Sequence, residues 1–169
     1  MICRTRAAAP LFGVILTGLG AFPAYAAGSD VHVSLWDKGE ASMTMMDEVQ
    51  PMGMAMPGSD MSMATMGITI DMVDVPAGEV TFLVTNDSEG MIHEMVLAPV
   101  VDTATELPYD GHLMKVDEDA AGHLAEVAER DPGKTGSLTM TLDPGTFILY
   151  CNIPGHYAMG MWTLLTVSG

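Results

Sequence analysis

Positive charge is scarce in this chain. Its 169 residues include six Lys and Arg against 22 Asp and Glu, which gives a formal net charge of −16 at pH 7. Proteins that bind nucleic acids need Lys and Arg to neutralise the phosphates, so we do not expect nucleic acid as a partner. The acidity is typical of a soluble protein, and it also favours attraction of cations or of a basic partner.

The chain also lacks a clear apolar run of membrane-spanning length. Near its N-terminus, Arg4 and Arg6 precede an apolar run over residues 7–22, and small residues follow up to Ala26. This layout predicts a secretory signal peptide over residues 1–26, cleaved near Ala26. Because Gly and Pro interrupt the run and a membrane span needs about 20 apolar residues, an uncleaved anchor is the weaker alternative. We therefore expect a periplasmic protein with no membrane association after cleavage.

Cysteine is scarce as well. Of the two cysteines, Cys3 lies in the predicted signal peptide, so Cys151 would be single in the mature chain and could form no internal disulfide. A free thiol in an oxidising compartment needs a reason to remain reduced. Metal ligation is such a reason, and a buried structural cysteine is the alternative.

Residues 37–66 contain little Val, Ile or Leu and are dominated by Met, Gly, Ser, Pro and acids. Such a segment cannot bury much apolar surface, so we expect it to be largely disordered without a ligand. Before it, residues 31–36 alternate like a short strand that could join a sheet edge. The expected organisation is a strand and flexible Met-rich segment over residues 27–65, followed by a folded domain over residues 66–169.

The rest of the chain shows strand-like alternation interrupted by turn signals such as Asp143-Pro144-Gly145. Many short alternating strands predict an all-β fold, a β-sandwich. The predicted strands cover residues 68–73, 80–86, 93–98, 137–142, 146–151 and 162–167.

Residues 101–135 break this rhythm. Residues 120–130 are rich in Ala, Glu and Leu and end at Asp131-Pro132-Gly133. This composition favours a helix that the Pro and Gly terminate, so we predict one short helical insertion between sandwich strands.

The loop over residues 150–161 reads Tyr-Cys-Asn-Ile-Pro-Gly-His-Tyr-Ala-Met-Gly-Met. It offers a thiolate, an imidazole and a thioether, and mononuclear electron-transfer copper is held by two His, one Cys and a weak axial Met. His93, at the start of a predicted strand, would supply the second imidazole. We predict one type 1 copper bound by His93, Cys151 and His156, with Met161 or Met159 as the axial ligand.

This loop resembles the copper loop of the plastocyanin, pseudoazurin and azurin family, and the resemblance covers residues 66–169. It implies a cupredoxin-like Greek-key β-sandwich, with Met161 as the axial ligand as in the similar pseudoazurin loop. Members of that family often carry Asn after the first His, where it links the ligand loops by hydrogen bonds. Glu94 stands at that position here, and since such outer groups tune a metal, we expect a green or otherwise perturbed spectrum. The insertion at residues 101–135 is a second departure.

The methionines of the Met-rich segment form Met-x-Met groups. On a flexible backbone such groups can surround a soft Cu(I) ion, whereas a low-complexity linker with incidental Met is the alternative. The candidate ligands for additional labile Cu(I) are Met43, Met45, Met46, Met52, Met54, Met56, Met61, Met63 and Met66.

Two functions fit these features. A cupredoxin with a Met-rich stretch resembles periplasmic copper-tolerance cupredoxins of the CopI type, which implies copper handling with copper ions and a copper exporter or oxidase as partners. The alternative is a carrier of single electrons that meets a periplasmic redox protein. Copper enzymes with a second copper class need several more histidines, and His32, His112 and His123 are isolated and left unassigned. Enzyme activity is therefore not expected beyond a slow cuprous oxidase reaction.

Overall fold

The computed structural model describes residues 28–39, 42 and 50–169. Within these ranges helix α1 spans Glu118–Ala121, and 3-10 turns lie at Met61–Met63 and Tyr157–Met159. No helix in those ranges is long and apolar enough to cross a membrane. The strands are β1 (Ser29–Asp37), β2 (Met66–Ile70), β3 (Asp74–Pro76), β4 (Gly78–Asn86), β5 (His93–Val100), β6 (Tyr109–Asp110), β7 (Lys115–Val116), β8 (Ala125–Arg130), β9 (Thr135–Leu142), β10 (Gly145–Tyr150) and β11 (Trp162–Ser168). The predicted signal peptide and Met43, Met45 and Met46 lie outside the described residues.

Two sheets form a sandwich, which confirms the predicted all-β class. One sheet has the strand order β2-β1-β4-β9 and the other β3-β11-β10-β5-β8, while β6 and β7 pair as a separate hairpin. Alternate side chains of β1 and β4 are buried, as expected for strands with one face on a core. Val33, Phe82, Leu97 and Leu149 belong to the resulting apolar cluster.

The strand order explains where the predicted copper loop lies. β10 is antiparallel to both of its neighbours, β5 and β11. The end of β10 is therefore beside the first residues of β5 and β11. Tyr150, the last residue of β10, pairs with Val96 on one side and Trp162 on the other. Residues that follow β10 and precede β11 consequently meet the start of β5 at one end of the sandwich.

A second apolar layer covers the outer face of the five-stranded sheet. Met54 and Met56 pack there with Val116 and Tyr157 against side chains of β5 and β10. Because both faces of the sheet are covered, all residues of β5 from 93 to 98 are buried. The Met-rich segment and the insertion at residues 101–135 supply this cover.

The helix predicted over residues 120–130 is wrong beyond Ala121. Asp117 caps the start of α1 through its side chain, and Gly122, with φ 76°, ends it in the left-handed conformation. The chain then forms β8, which pairs with β5 at the sheet edge. Pairing with an open strand edge and burial of Val127 outweigh the helix propensity of Ala and Glu.

The Met-rich segment also differs from expectation where the structure describes it. Within residues 50–66, the side chains of Met52, Met54 and Met56 are buried. In addition, β1 lies inside its sheet, antiparallel to β2 and parallel to β4. The sandwich therefore includes residues before 66, and the expected boundary at residue 66 does not separate β1 from it.

Several strands differ in extent from the predictions. β2 ends at Ile70 rather than residue 73, and β3, β6, β7 and β8 were not predicted. β3, β6 and β7 are only two or three residues long. Strands this short carry too few alternating residues to be detected by periodicity.

Candidate metal centre

Three of the predicted ligands come together at the end of the sandwich. His93 is the first residue of β5, Cys151 follows β10, and His156 lies in the loop before β11. The Nδ1 atoms of the two imidazoles are 3.2 Å apart, and the Cys151 Sγ is 3.3 Å from the His156 Nδ1. All three ligand atoms lie within 4.8 Å of one another.

All three side chains are shielded from solvent. His93 and Cys151 are fully buried, and His156 keeps an exposed fraction of 3%. Two imidazole nitrogens and one thiol sulfur converge here in a buried site. Electron-transfer copper is bound by this donor set. The arrangement therefore fits a type 1 copper ion.

Burial sets the protonation of the histidines. It lowers the pKa of His156 to about 4, and the proximity of His93 adds to this effect. Burial also lowers the pKa of His93, although hydrogen bonding to Asp37 opposes it. Both imidazoles are therefore neutral at pH 7, which is the form that binds a metal.

The cysteine is in the opposite situation. Burial raises the pKa of Cys151 to about 12, so the thiol is protonated at neutral pH in the absence of a metal. A metal binds the thiolate, so loading the site must release this proton. The site thus holds two neutral ligands that are ready to bind and one that a metal must deprotonate.

The axial position has two candidates in the same loop, and both are buried: Met161 is fully buried and Met159 is 2% exposed. Backbone hydrogen bonds tie Met161 to the ligands, because its carbonyl accepts from the Cys151 N–H at 3.1 Å and its N–H donates to the His156 carbonyl at 3.1 Å. Met161 as the axial ligand stays a prediction, which this closer tie to Cys151 supports.

Glu94 connects the two segments that carry ligands. Its carboxylate accepts a hydrogen bond of 3.0 Å from the backbone N–H of Asn152, the residue after Cys151. The family's Asn is thus replaced by a group that still links β5 to the ligand loop, here with a carboxyl group. Burial raises the pKa of Glu94, and Lys115 opposes the shift.

Asn152 fixes the loop from the other side. Its side chain pairs with the backbone of Val116, accepting from the N–H at 2.7 Å and donating to the carbonyl at 3.0 Å. It also donates to the Glu118 carboxylate at 2.7 Å. The insertion therefore anchors the residue next to the predicted thiolate ligand.

Asp37, a residue that the sequence did not single out, contacts a predicted ligand. It ends β1, and its Oδ2 lies 2.9 Å from the Nε2 of His93. Since Nε2 is engaged there, Nδ1 is the nitrogen of His93 that faces Cys151 and His156. No local sequence pattern relates an Asp at the end of one strand to a His that begins another.

Three hydrogen bonds fasten the Met-rich segment, two to the ligand loop and one to the first residue of β11. The Met52 N–H donates to the Ala158 carbonyl at 2.6 Å, and the Trp162 indole N–H donates to the Met52 carbonyl at 2.7 Å. The Met54 N–H donates to the Tyr157 hydroxyl at 2.9 Å. We call residues 52–56 the Met strap.

The candidate Cu(I) ligands fall into different environments. Met52, Met54, Met56 and Met66 are buried, whereas Met61 and Met63 are 42% and 49% exposed. A thioether that packs in an apolar layer is engaged in packing rather than free on a flexible arm. Binding of additional Cu(I) by this set stays a prediction.

The three histidines left unassigned are all exposed. Among them, His123 lies with Glu118 and Glu126 in a group whose ligand atoms are within 4.8 Å of one another. Exposed acidic groups often meet in this way without a function, so the group adds no second site to the assignment.

Comparison with known proteins agrees with this geometry. A family model described as copper binding proteins, plastocyanin/azurin family, matches residues 54–168. Auracyanin-B of Chloroflexus aurantiacus is 35% identical over 106 residues, which cover 57% of this chain and 45% of the relative. The chain thus spans less than half the length of that curated relative.

Solved structures with the same fold have lower identity. Rusticyanin from Thiobacillus ferrooxidans is similar with a TM-score of 0.51 and 21% identity, covering 84% of this chain and 79% of rusticyanin. A structure of auracyanin B gives a TM-score of 0.50 and 22% identity, covering 89% of this chain and 94% of that one. At these identities the likeness shows the fold alone.

Proposed function

Because the chain belongs to the plastocyanin/azurin family of copper-binding proteins, we propose that it is a single-electron carrier with one type 1 copper. The observation that carries this proposal is the buried convergence of His93, Cys151 and His156 on one point. When bound, copper supplies a one-electron couple between its cuprous and cupric forms. The chain supplies the binding geometry and the exclusion of water.

The ligands are held by elements that resist rearrangement. His93 belongs to a strand buried on both faces, and Cys151 and Met161 are joined by a backbone hydrogen bond between the ends of paired strands. Close-packed surroundings of this kind have low compressibility, so they keep the ligands in place. A site that keeps one geometry in both oxidation states lowers the reorganisation needed for electron transfer, which suits a carrier.

His156 offers the route to a partner. It lines an open cleft of about 640 Å³ whose walls combine the apolar side chains of Met91, Ile92, Ile153 and Pro154 with the charged residues Glu94, Lys115 and Glu129. The apolar part of this lining lets a partner pack closely beside a metal ligand, and the charged residues around it can orient the partner. We propose that a periplasmic redox protein docks here, and the net charge of −16 favours a basic one.

Copper handling is the second candidate, and exposed thioethers favour it. Met61 and Met63 are exposed on one 3-10 turn, and with Met43, Met45 and Met46 they could bind Cu(I). Burial of Met52, Met54 and Met56 reduces the number of thioethers available for this role. We therefore rank the electron carrier first and copper tolerance, with an exporter or oxidase as partner, second.

Copper stoichiometry separates the two functions. Competition with a chromophoric Cu(I) chelator would be measured on the intact chain and on a variant with Met61 and Met63 replaced by Leu. A carrier binds one Cu(I) in both forms and cycles reversibly without losing it. Two or more Cu(I) in the intact chain, falling in the variant, would favour copper handling, and loss of copper on each reduction would overturn the carrier.

Electron exchange tests the docking site. Added salt should slow oxidation of the cuprous protein by a cationic cobalt complex and speed its oxidation by anionic ferricyanide, because salt screens the attraction of one oxidant and the repulsion of the other. Ile92→Ser should slow oxidation by a basic redox protein, because Ile92, 46% exposed, lines the cleft and the substitution removes apolar contact area without adding charge. Val101→Ser makes the same kind of change at an exposed residue outside the cleft and is the control. Equal rates in the two variants would contradict docking at His156.

Export completes the proposal. The predicted signal peptide over residues 1–26 would place the carrier in the periplasm, where copper and redox partners meet it. N-terminal sequencing of the protein from a periplasmic extract should begin at Ala27. A protein that stays in the cytoplasm with its N-terminus intact would contradict this placement.

A further inference from the structure

A carboxylate is buried behind the copper-binding imidazole of His93. Asp37 Oδ2 lies 2.9 Å from His93 Nε2, and neither side chain is exposed. A buried carboxylate needs a partner, because removal of an ion from water is costly. Within the described part of the chain, the only basic side-chain nitrogen within 4.0 Å of the Asp37 carboxylate is that of His93.

The fold determines the position of this carboxylate. Asp37 ends β1, whose pairing with β2 aligns Asp37 with Met66. Its second oxygen, Oδ1, accepts a hydrogen bond of 2.6 Å from the backbone N–H of Gly39. Gly39 has φ 84°, a left-handed conformation that glycine adopts without strain. Both oxygens are thus held, and the side chain has no freedom to turn from His93.

The adjacent lysine does not neutralise the carboxylate. Lys38 directs its amine to the Ala64 carbonyl, at 2.8 Å. The negative charge of Asp37 therefore acts mainly on His93. A carboxylate that accepts the remaining N–H of a metal-bound imidazole fixes the tautomer and raises the basicity of the ligand.

We infer that Asp37 is a positioning residue that holds His93 with Nδ1 toward the ligand cluster and that its charge favours the oxidised state of the copper. The inference rests on the type 1 copper site proposed above. The cupric site carries one more positive charge than the cuprous site, so a nearby buried anion stabilises it more. Asp37 thereby lowers the reduction potential of the protein.

Asp37→Asn separates the charge from the hydrogen bond, because the amide oxygen can still accept from Nε2. The expected result is a Cu(II) affinity about 10–100-fold weaker, in the range found for partners of metal-bound histidines, with a smaller change in Cu(I) affinity. If the substitution weakens Cu(II) binding ten times more than Cu(I) binding, the reduction potential of this one-electron couple rises by about 59 mV.

The matched control is Asp87→Asn. Asp87 is exposed, and its N–H donates to the carbonyl of Leu35 in the same strand as Asp37. The control removes one negative charge without touching His93. A potential of Asp37→Asn equal to that of Asp87→Asn would overturn the inference, and a higher potential in Asp37→Asn alone would support it.

The apoprotein gives a test that needs no copper. Nitrogen NMR of the imidazoles in the wild-type apoprotein should show His93 protonated at Nε2, and in Asp37→Ala a mixture of the two tautomers. An Nδ1-protonated His93 in the wild-type protein would overturn the inference even if no variant folds. Absence of a thiolate-to-copper absorption band in the loaded wild-type protein would instead refute the proposed function, and the NMR result would still decide the role of Asp37.

Discussion

Replacement of Tyr157 by Phe tests whether the Met strap is part of the folded structure. The Tyr157 hydroxyl is fully buried and accepts a hydrogen bond of 2.9 Å from the Met54 N–H. Its removal leaves a buried N–H without this acceptor, which costs about 1–3 kcal/mol of unfolding free energy. For a domain of this size, each kcal/mol lowers the melting temperature by about 2–4 °C.

Two assays follow the effect. Urea unfolding of the apoprotein reports the change in free energy, and hydrogen exchange reports the Met54 amide directly. Tyr109→Phe is the control, because Tyr109 has a half-buried ring 5.8 Å from that of Tyr157. We expect destabilisation and faster Met54 exchange in Tyr157→Phe only. Unchanged stability together with unchanged exchange would refute the packing of the strap on the ligand loop.

Three further predictions concern the site and its surroundings. Cys151→Ser should abolish the intense thiolate-to-copper absorption, and a visible spectrum that keeps the band would exclude Cys151 as the ligand. Gly53→Ala should destabilise the protein to thermal unfolding, because an added Cβ would lie 2.6 Å from the Tyr157 ring, whereas Gly90→Ala, with open space around it, is the control. Folding lowers the pKa of His156 from 6.5 to about 4, so the folded state favours the neutral imidazole. Above pH 6.5 the imidazole is neutral in both states and the protein keeps its full unfolding free energy. As the pH falls from 6.5 toward 4, protonation of the unfolded state lowers that free energy by up to about 3 kcal/mol. Urea denaturation of the apoprotein across this pH range should show a smaller loss of unfolding free energy in His156→Gln than in the wild-type protein. An equal loss in both would contradict the lowered pKa of His156.

The convergence of the predicted ligands was predictable because their pattern is largely local. Cys151 and His156 share one loop, and the assignment of His93 needed only a strand that begins with a histidine. The topology that brings them together follows from antiparallel pairing of β10 with β5 and β11. Sequence periodicity predicted those three strands, so the site was predicted together with its scaffold.

The errors share a physical cause, which is contact between distant parts of the chain. Residues 125–130 have a helical composition, yet the open edge of β5 makes them a strand. Met52 and Met54 lie in a segment of low apolar content, yet Tyr157 and Trp162 supply partners for their backbone. The contact of Asp37 with His93 joins opposite sheets. Composition and periodicity do not report contacts of this kind.

The central position of β1 has a consequence for the order in which the protein matures. β1 comes first among the described strands, but it lies between β2 and β4 and runs parallel to β4. Pairing between such distant segments closes large loops and is slow. Asp37 reaches His93 only when β1 has paired with its neighbours, so the final support of the imidazole depends on this slow long-range pairing. The time at which a refolding, copper-loaded chain attains its final absorption spectrum should therefore report the insertion of β1.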